Sequence, residues 1–561
     1  MTNKEIAKNF QQLAQLMEFW DENPFKIKSY NSAYILLRKI DRPLETMSDA
    51  EITAIKGVGA SIAKGIRELL TSGKLETMDA LRSKTPAGVQ AMLRISGYGP
   101  KKIKQLWQEL GVESLGELLY ACEENRLVSL KGFGDKTQAD LKQKIQYLQQ
   151  AEGKMLYANA ERLANASANE LRCATQHIYI KVSGELRRRC PIVELIQFVV
   201  IEKVDVLASL ITEKTTMNVH KIEGNRVWVT TEQGVLMLFT TCQRNDLGSK
   251  LFKTTGSRAF IDAFLAQTKV SDFTNVSDED DIFAKANLPY IPVELREDGK
   301  YLTEELPKLL DDVHIKGVIH THTTYSDGAN SLREMAEYAR EEGFRYIVIT
   351  DHSKAAFYAN GLTEERVREQ WREIDTLNGI LAPFKIYKGI ECDILNDGSL
   401  DYPDEFLKEF ELVIASIHSN LRMDEEKATA RLIKAIENPY VNILGHPTGR
   451  LLLAREGYPI NHAKVIDACA EHKVAIELNA NPNRLDIDYT WIPYALSKGV
   501  KISVNPDAHS CQGINDIRYG MYSARKGAVP FYMCVNTMQR DEFEKWMRKR
   551  KRLLAEANKL V

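Results

Sequence analysis

Seven short apolar runs recur through residues 312–561, and they restrict the fold of this chain more than any other feature of its sequence. They read GVIHTH to His322, YIVITDH to His352, KIYKGIE to Glu391, LVIASIH to His418, VNILGH to His446, VAIELN to Asn479 and KISVNPDAH to His509. Each is built of β-branched and aliphatic residues, as a strand buried on both faces requires, and charged segments of helical periodicity separate them. Strands alternating with helices predict a parallel sheet, and seven of them predict a barrel. In such a barrel the C-terminal strand ends meet at one mouth, so side chains far apart in sequence converge there.

Six of the eleven histidines stand at or near those strand ends, in company with three acids. A lone histidine after an apolar run is ordinarily a satisfied structural residue, but six at matching topological positions point to a shared metal site. His320 and His322 lie two apart on one strand and are expected to project from the same face and share an ion. Asp507 and His509 repeat that spacing at the last strand. Asp327, in TTYSDG, fits either an ordinary turn aspartate before glycine or a ligand. Glu391 fits either a solvated strand-end acid or a carboxylate bridging two ions. His352, His418 and His446 complete a set of nine, more than one tetrahedral ion needs, so two or three ions are expected. Imidazole and carboxylate without thiolate suit manganese, zinc or iron. Clustered divalent ions hydrolyse phosphate esters by lowering the pKa of a bound water and stabilising the departing oxygen. His320, His322, Glu391, Asp507 and His509 are the expected catalytic members. Arg450 in HPTGR and Arg484 in NPNR fit either bidentate phosphate binding or surface salt bridges.

Residues 312–561 resemble a PHP (polymerase and histidinol phosphatase) domain through HTHTTYSDG, TDHS, GIECDI, SIHSN, GHPTGRLL and NPDAH. The resemblance implies that all nine metal-ligand positions of that family are filled here, by His320, His322, Asp327, His352, Glu391, His418, His446, Asp507 and His509. It implies manganese as the working ion.

A chain of 561 residues exceeds one hydrophobic core, and three to five domains are expected. Its 44% hydrophobic and 27% charged residues are ordinary for a globular protein. No run reaches the roughly 20 apolar residues of a membrane span, and MTNKEIAKNFQQLAQLMEFW is an amphipathic pattern without the apolar core of a secretion signal. Eight scattered cysteines without a spacing pattern suggest a reducing, cytoplasmic setting; Cys392 and Cys511, beside ligand positions, read as small buried filler. A net charge of −2 gives no argument for nucleic-acid binding. Local basic clusters must carry it: Lys101, Lys102 and Lys104, Arg187 to Arg189, and the tail KWMRKRKR from Lys545 to Arg552, each of which also fits a solvated helix face.

Three related segments occupy the first 150 residues: IKGVGASIAKGI, ISGYGPKKIKQL and LKGFGDKTQADL. Each is apolar, x, Gly, apolar, Gly, then a helix. The glycines allow a tight hairpin and leave backbone N–H groups at the next helix N-terminus, where a phosphate oxygen is bound without reading sequence. Gly57, Gly59, Gly97, Gly99, Gly132 and Gly134, with Lys101 and Lys102, are therefore the candidate DNA contacts. With NPFKIKSYNSA, these hairpins resemble the lyase-like and fingers domains of the X family of DNA polymerases. TTGSRAF and DDIFAKANLPYIPVELRED resemble that family's thumb and the segment after it. The module order is that of bacterial family X polymerases with a C-terminal PHP domain. The expected architecture is thus helical helix-hairpin-helix domains at 1–85 and 86–150, an α+β palm at 151–245, thumb and linker at 246–311, and a distorted (β/α)7 barrel at 312–561.

The palm departs from the family. In SGELRRRCPIVELIQFVV, Gly184, Arg187 and Arg188 match its nucleotide-binding motif, but Glu185 replaces a serine. Leu195 and Gln197 stand where two metal-binding aspartates belong, the third position near Leu238 has no acid, and aliphatic side chains cannot hold Mg²⁺. Glu194 is adjacent but points the opposite way along a strand. The lyase lysine position falls on Gly65, with Lys64 on a different helix face. The resemblance therefore implies a metal-dependent 3′-5′ exonuclease acting on DNA ends or gaps in repair, with room for abasic-site endonuclease activity and with polymerase activity lost. The alternatives are an active gap-filling polymerase/exonuclease, a DNA-binding protein whose sites are both relics, and a small-molecule phosphatase on the same barrel.

Overall fold

The computed structural model describes residues 1–560 except 39, 41, 96, 151, 152, 176, 233 and 271, and leaves out the side chains of 4, 146–150 and 552–560. The chain divides into two compact units, residues 1–122 with 127–145 and residues 123–126 with 146–561.

The first unit is helical. Its opening helix, Asn3–Phe19, starts at a capping box between Thr2 and Glu5 and buries Ile6, Phe10, Leu13, Ala14 and Met17 along one face. The three glycine segments share one turn. Val58, Tyr98 and Phe133 donate their backbone N–H to the carbonyls of Ile55, Ile95 and Leu130 at 2.9, 3.2 and 3.0 Å. The first glycine of each, Gly57, Gly97 and Gly132, has φ of +99°, +87° and +89°, a conformation that requires glycine. The apolar residue between the glycines is buried each time, so the turn is pinned to the core beneath it.

Besides a short antiparallel pair between Met155–Leu156 and Ile192–Val193, the second unit holds two larger sheets among the described residues. Residues Tyr179–Ser183, Ile196–Ile201, Leu236–Cys242, Arg226–Thr230 and Asn218–Glu223 form a five-stranded sheet in that order, antiparallel except between Ile196–Ile201 and Leu236–Cys242. Packed phenylalanines, among them Phe252, Phe260, Phe264 and Phe283, form the core of the helical segment that follows. The second sheet is all parallel and runs in chain order through Gly317–Thr321, Tyr346–Ile349, Lys385–Asp393, Leu412–Ser416, Ile443–Leu444, Ala475–Asn479 and Ile502–Asn505. It closes where the Ala508 N–H donates to the His320 carbonyl at 3.2 Å and the His322 N–H to the Ala508 carbonyl at 2.9 Å. All seven expected strands are present, but several are shorter than their apolar runs, and His322, His352, His418, His446, Asp507 and His509 lie past the strand ends.

Part of the basic tail serves the barrel itself. In the helix Arg540–Leu560, Phe543 and Met547 bury against Tyr346, Tyr387, Leu412 and Ile443 inside the barrel, with Phe543 stacked on Tyr346 at 4.6 Å. Arg550 is buried and donates to the carbonyls of Val441 and Ile436, and Lys551 donates to that of Lys408 at 3.0 Å. Lys545, Arg548 and Lys549 remain exposed, and Arg552 lies outside the described side chains. The helix thus plugs the barrel with its apolar side and caps loose carbonyls with its cations. All eight cysteines are free, and among the described residues no helix is long and apolar enough to cross a membrane. Phe543→Ala is expected to cost about 3–5 kcal/mol through the cavity it leaves, seen as a lowered barrel melting transition by calorimetry, whereas Lys549→Ala is expected to leave that transition in place.

Candidate metal centre

The first barrel strand does not run regularly through its two histidines. Its pairing slips between Val318 and Thr321, and His320 takes a φ of +65°. Simple alternation along a strand was the expected reason for His320 and His322 sharing a face; a bulge is the actual one. A non-glycine residue in this region costs roughly 1–2 kcal/mol. The bulge brings the His320 and His322 Nε2 atoms to 3.4 and 3.1 Å from the same Asp507 oxygen. Asp507 itself has a φ of +52°.

Glu391 is the hub of the mouth. Its Oε1 lies 3.2 Å from His320 Nε2, 3.1 Å from His418 Nε2 and 3.0 Å from His446 Nε2. Its Oε2 lies 3.0 Å from His352 Nδ1 and 3.6 Å from His322 Nε2. On the far side, Asp327 is 3.5 Å from His509 Nε2 and 3.6 Å from His352 Nε2. The structure therefore brings all nine expected residues together. Three groups have donor atoms within 4.8 Å of one another: His322, Asp327, His352 and His509; His320, His322 and Glu391; and His352, Glu391 and His418. Shared members make them neighbours, as adjacent ions bridged by a carboxylate would need.

Burial raises the cost of charging Glu391, yet His418, His320 and His352 hold its carboxyl well below the usual range. Burial likewise opposes protonation of His418, but Glu391 and Asp393 push it up to about 9. His509 is also pushed up to about 9 against burial, chiefly by Asp327. His322 goes the other way, down to about 3, through burial and the adjacent His509 and His352. The acids are thus held ionised by the protons that His320, His352, His418 and His509 tend to keep, positions that a cation would take over. Buried His320 Nε2, His322 Nδ1, His352 Nδ1, His509 Nε2 and Glu391 Oε2 make no hydrogen bond among the described residues. Inward-facing, buried and unbonded, these atoms fit divalent ions.

A surrounding layer, missed in the sequence, orients the rings. His320 Nδ1 donates to Glu477 Oε1 at 2.6 Å, His418 Nδ1 to Asp393, and His509 Nδ1 to the Asp507 carbonyl at 3.0 Å, which turns each Nε2 toward the cluster. Glu477 also accepts the His446 N–H at 2.7 Å. Buried Asp351 accepts from Thr323 N at 2.7 Å and from the hydroxyls of Thr323 and Ser326, fixing the loop that carries Asp327. The available signal was an acid inside a wholly apolar strand, Glu477 in VAIELN, since such a group needs a partner.

Of the phosphate candidates, Arg450 is engaged within the protein: Nε and Nη2 donate to the carbonyls of Arg484 and Leu485, and Nη1 to Asp488. The salt-bridge alternative is thus the structural role of Arg450. Arg484 is buried, with Nε 3.9 Å from Asp507. The Arg187 to Arg189 cluster is likewise internal. Arg187 bonds Thr255 and Glu279, Arg188 bonds Glu297 and the Thr255 carbonyl, and Arg189 bonds Tyr157. In the helical unit, a side chain added at Gly59, Gly99 or Gly134 would meet nothing within 4 Å, so these backbone segments are open to a ligand. Lys101 and Lys102 are exposed beside them, with Lys102 Nζ 5.4 Å from the Tyr98 ring, whereas Lys104 pairs with Asp21.

Residues 1–75 match the helix-hairpin-helix domain family, 89–146 the SAM-like helix-hairpin-helix tandem, and 319–481 the PHP domain. Among curated proteins, the Bacillus subtilis "DNA polymerase/3′-5′ exonuclease PolX" is 33% identical over 98% of this chain and 100% of its own length. Probable phosphatases of Thermoanaerobacter sp. and Caldanaerobacter subterraneus are each 30% identical, covering 39% and 42% of this chain and 89% and 92% of their own lengths. Those phosphatases cover only part of this chain, whereas the Bacillus relative matches from end to end, and the chain belongs to the PolX family of family X polymerases with helix-hairpin-helix and PHP domains.

Proposed function

We propose that this chain is a metal-dependent 3′-5′ exonuclease acting on DNA, with its active site at the mouth of the barrel. The observation that carries this is the convergence of nine imidazole and carboxylate side chains, Glu391 at their hub, with unbonded buried donor atoms among them. The Bacillus subtilis relative is named a 3′-5′ exonuclease, and the open hairpin glycines, with Lys101 and Lys102, supply contacts to DNA phosphates that do not depend on sequence. Divalent ions bound here would activate a water and neutralise charge on the phosphoryl oxygens. We assign the ions as manganese, two or three per chain; zinc and iron also suit the donor set.

The side chains divide the work. Glu391, whose two oxygens each face imidazoles of the cluster, would hold the cations that supply the hydrolytic chemistry. His320, His322 and Asp507 hold one side of the site, and Asp327, His352 and His509 the other, with His418 and His446 behind Glu391. Glu477 and Asp393 hold the ring orientations. Burial of the cluster excludes bulk water and strengthens every charge interaction within it.

The palm supports loss of polymerase activity. Gln197 pairs in register with Leu238 on the parallel neighbouring strand, so two of the three positions needed for Mg²⁺ lie side by side without an acid. Glu185, at the position of the family's serine, accepts the Glu194 N–H at 2.7 Å and adds a carboxylate to that segment. Arg187 and Arg188 are held in internal ion pairs.

His320→Ala/His322→Ala is expected to slow Mn²⁺-dependent degradation of a 3′-labelled primer-template by more than about a hundredfold, beyond the range for loss of an outer partner; an unchanged rate refutes the assignment. Glu477→Gln is expected to weaken metal binding about 10–100-fold, read by competition with a chelator. On a one-nucleotide gap, the wild type is expected to show no dNTP-dependent primer extension, and clear extension would restore the polymerase. The folded-state pKa values of His418 and His509, raised to about 9, mean that ions must displace protons below that pH. Metal affinity is therefore expected to fall as the pH is lowered from 9, with proton release seen by calorimetry in two buffers of different ionisation enthalpy.

A further inference from the structure

Five residues after the ligand His352, Phe357 is 87% exposed, more than any other large hydrophobic side chain among the described residues. A loose loop tip would explain that, but this segment is fixed. Leu362 N–H donates to the His352 carbonyl at 2.8 Å, Ala356 N–H to Ser353 at 3.1 Å, Gly361 N–H to Ala356 at 3.0 Å, and Ala355 N–H to an Asp401 oxygen at 2.7 Å. A side chain at Gly361 would come within 2.0 Å of the Ser353 carbonyl, so the loop folds back tightly on itself. The ring is held out by a rigid support whose first anchor is a metal ligand.

Its position relates to the cluster through two aromatic steps. The Phe357 ring stands 6.1 Å from Tyr358, nearly perpendicular to it, and Tyr358 is 6.4 Å from the His352 ring. Bases stacked along one strand rise about 3.4 Å each, so the Phe357 face lies within the span of the last few nucleotides of a strand whose end reaches His352. Its exposed neighbours, Lys354 and Asn360, are polar. An apolar protein partner would call for several adjoining exposed apolar side chains, whereas one exposed ring among polar neighbours matches a nucleobase.

We propose that Phe357 is a stacking platform for a nucleobase of the single-stranded 3′ tail, positioning the strand whose terminal phosphodiester enters the metal cluster. The assignment rests on the nuclease reading and adds a base subsite to it. Stacking tolerates any base, so the subsite holds the strand without choosing its sequence.

The test uses the full-length protein with Mn²⁺ and oligothymidylates carrying 2-aminopurine at one of the last four positions and phosphorothioate linkages at the 3′ end. Wild type is expected to quench the fluorescence at one of these positions, Phe357→Ala to lose that quench, and Phe357→Trp to keep it. Phe357→Ala should also lower kcat/KM on single-stranded DNA about tenfold, within the range for one stacked base, while hydrolysis of bis(p-nitrophenyl) phosphate stays unchanged. Unaltered quenching and DNA degradation in Phe357→Ala overturn the subsite. Equal losses on DNA and on the small diester also overturn it, because they mark a merely structural role. A wild type that quenches the probe yet leaves an unmodified strand intact would keep the base subsite and refute the nuclease reading instead.

Discussion

Burial of Glu391 among five imidazoles sets the terms for the whole barrel. A fully buried carboxylate is costly unless countercharge surrounds it, and here histidines from four strand ends surround it, with His418, His320 and His352 supplying the countercharge. Such convergence demands a closed parallel sheet, because only there do all C-terminal strand ends share one mouth. It also demands local concessions: a left-handed His320, a left-handed Asp507 and a slipped register in the first strand. The strain persists because the closing bonds between His320, His322 and Ala508 hold that backbone from both sides.

The same requirement explains the second layer. Imidazole has two nitrogens, and a ring that must offer Nε2 to a cation needs a fixed acceptor at Nδ1. Glu477 and Asp393 fill that role for His320 and His418, while Asp351 ties down the Asp327 loop through a lattice of hydroxyl and N–H donors. The centre is therefore at least two layers deep, and its outer layer consists of buried acids with defined partners.

In the palm, strands and register persist where the acids of the family motif do not. Gln197 faces Leu238 in an orderly parallel pairing, and an added side chain at Gly184 would come within 2.7 Å of the Gln197 amide, so the space beside the strand is filled by packing. The arginines that resemble nucleotide-binding groups hold the palm to neighbouring segments through Glu279 and Glu297, and Glu297 also pairs with Lys526 of the barrel segment. A basic motif is thus compatible with either ligand binding or internal cement, and only its acids' positions distinguish the two.

The period of the apolar runs, the hairpin glycines and the strand-tip histidines were legible in the sequence because each depends on local rules: burial on both faces, a positive φ, and a fixed topological end. Those rules determined the parallel barrel, the three hairpins and the identity of the nine converging residues. Tertiary structure alone decided what depends on partners distant in the chain. It assigned Arg450 to Asp488, placed Arg550 on the Val441 carbonyl as part of a barrel plug, put Glu477 behind His320 and left Phe357 without cover. The reason is physical: a charged or aromatic side chain carries the same local preferences whether it binds substrate or the protein itself, and only the fold fixes which groups come within reach.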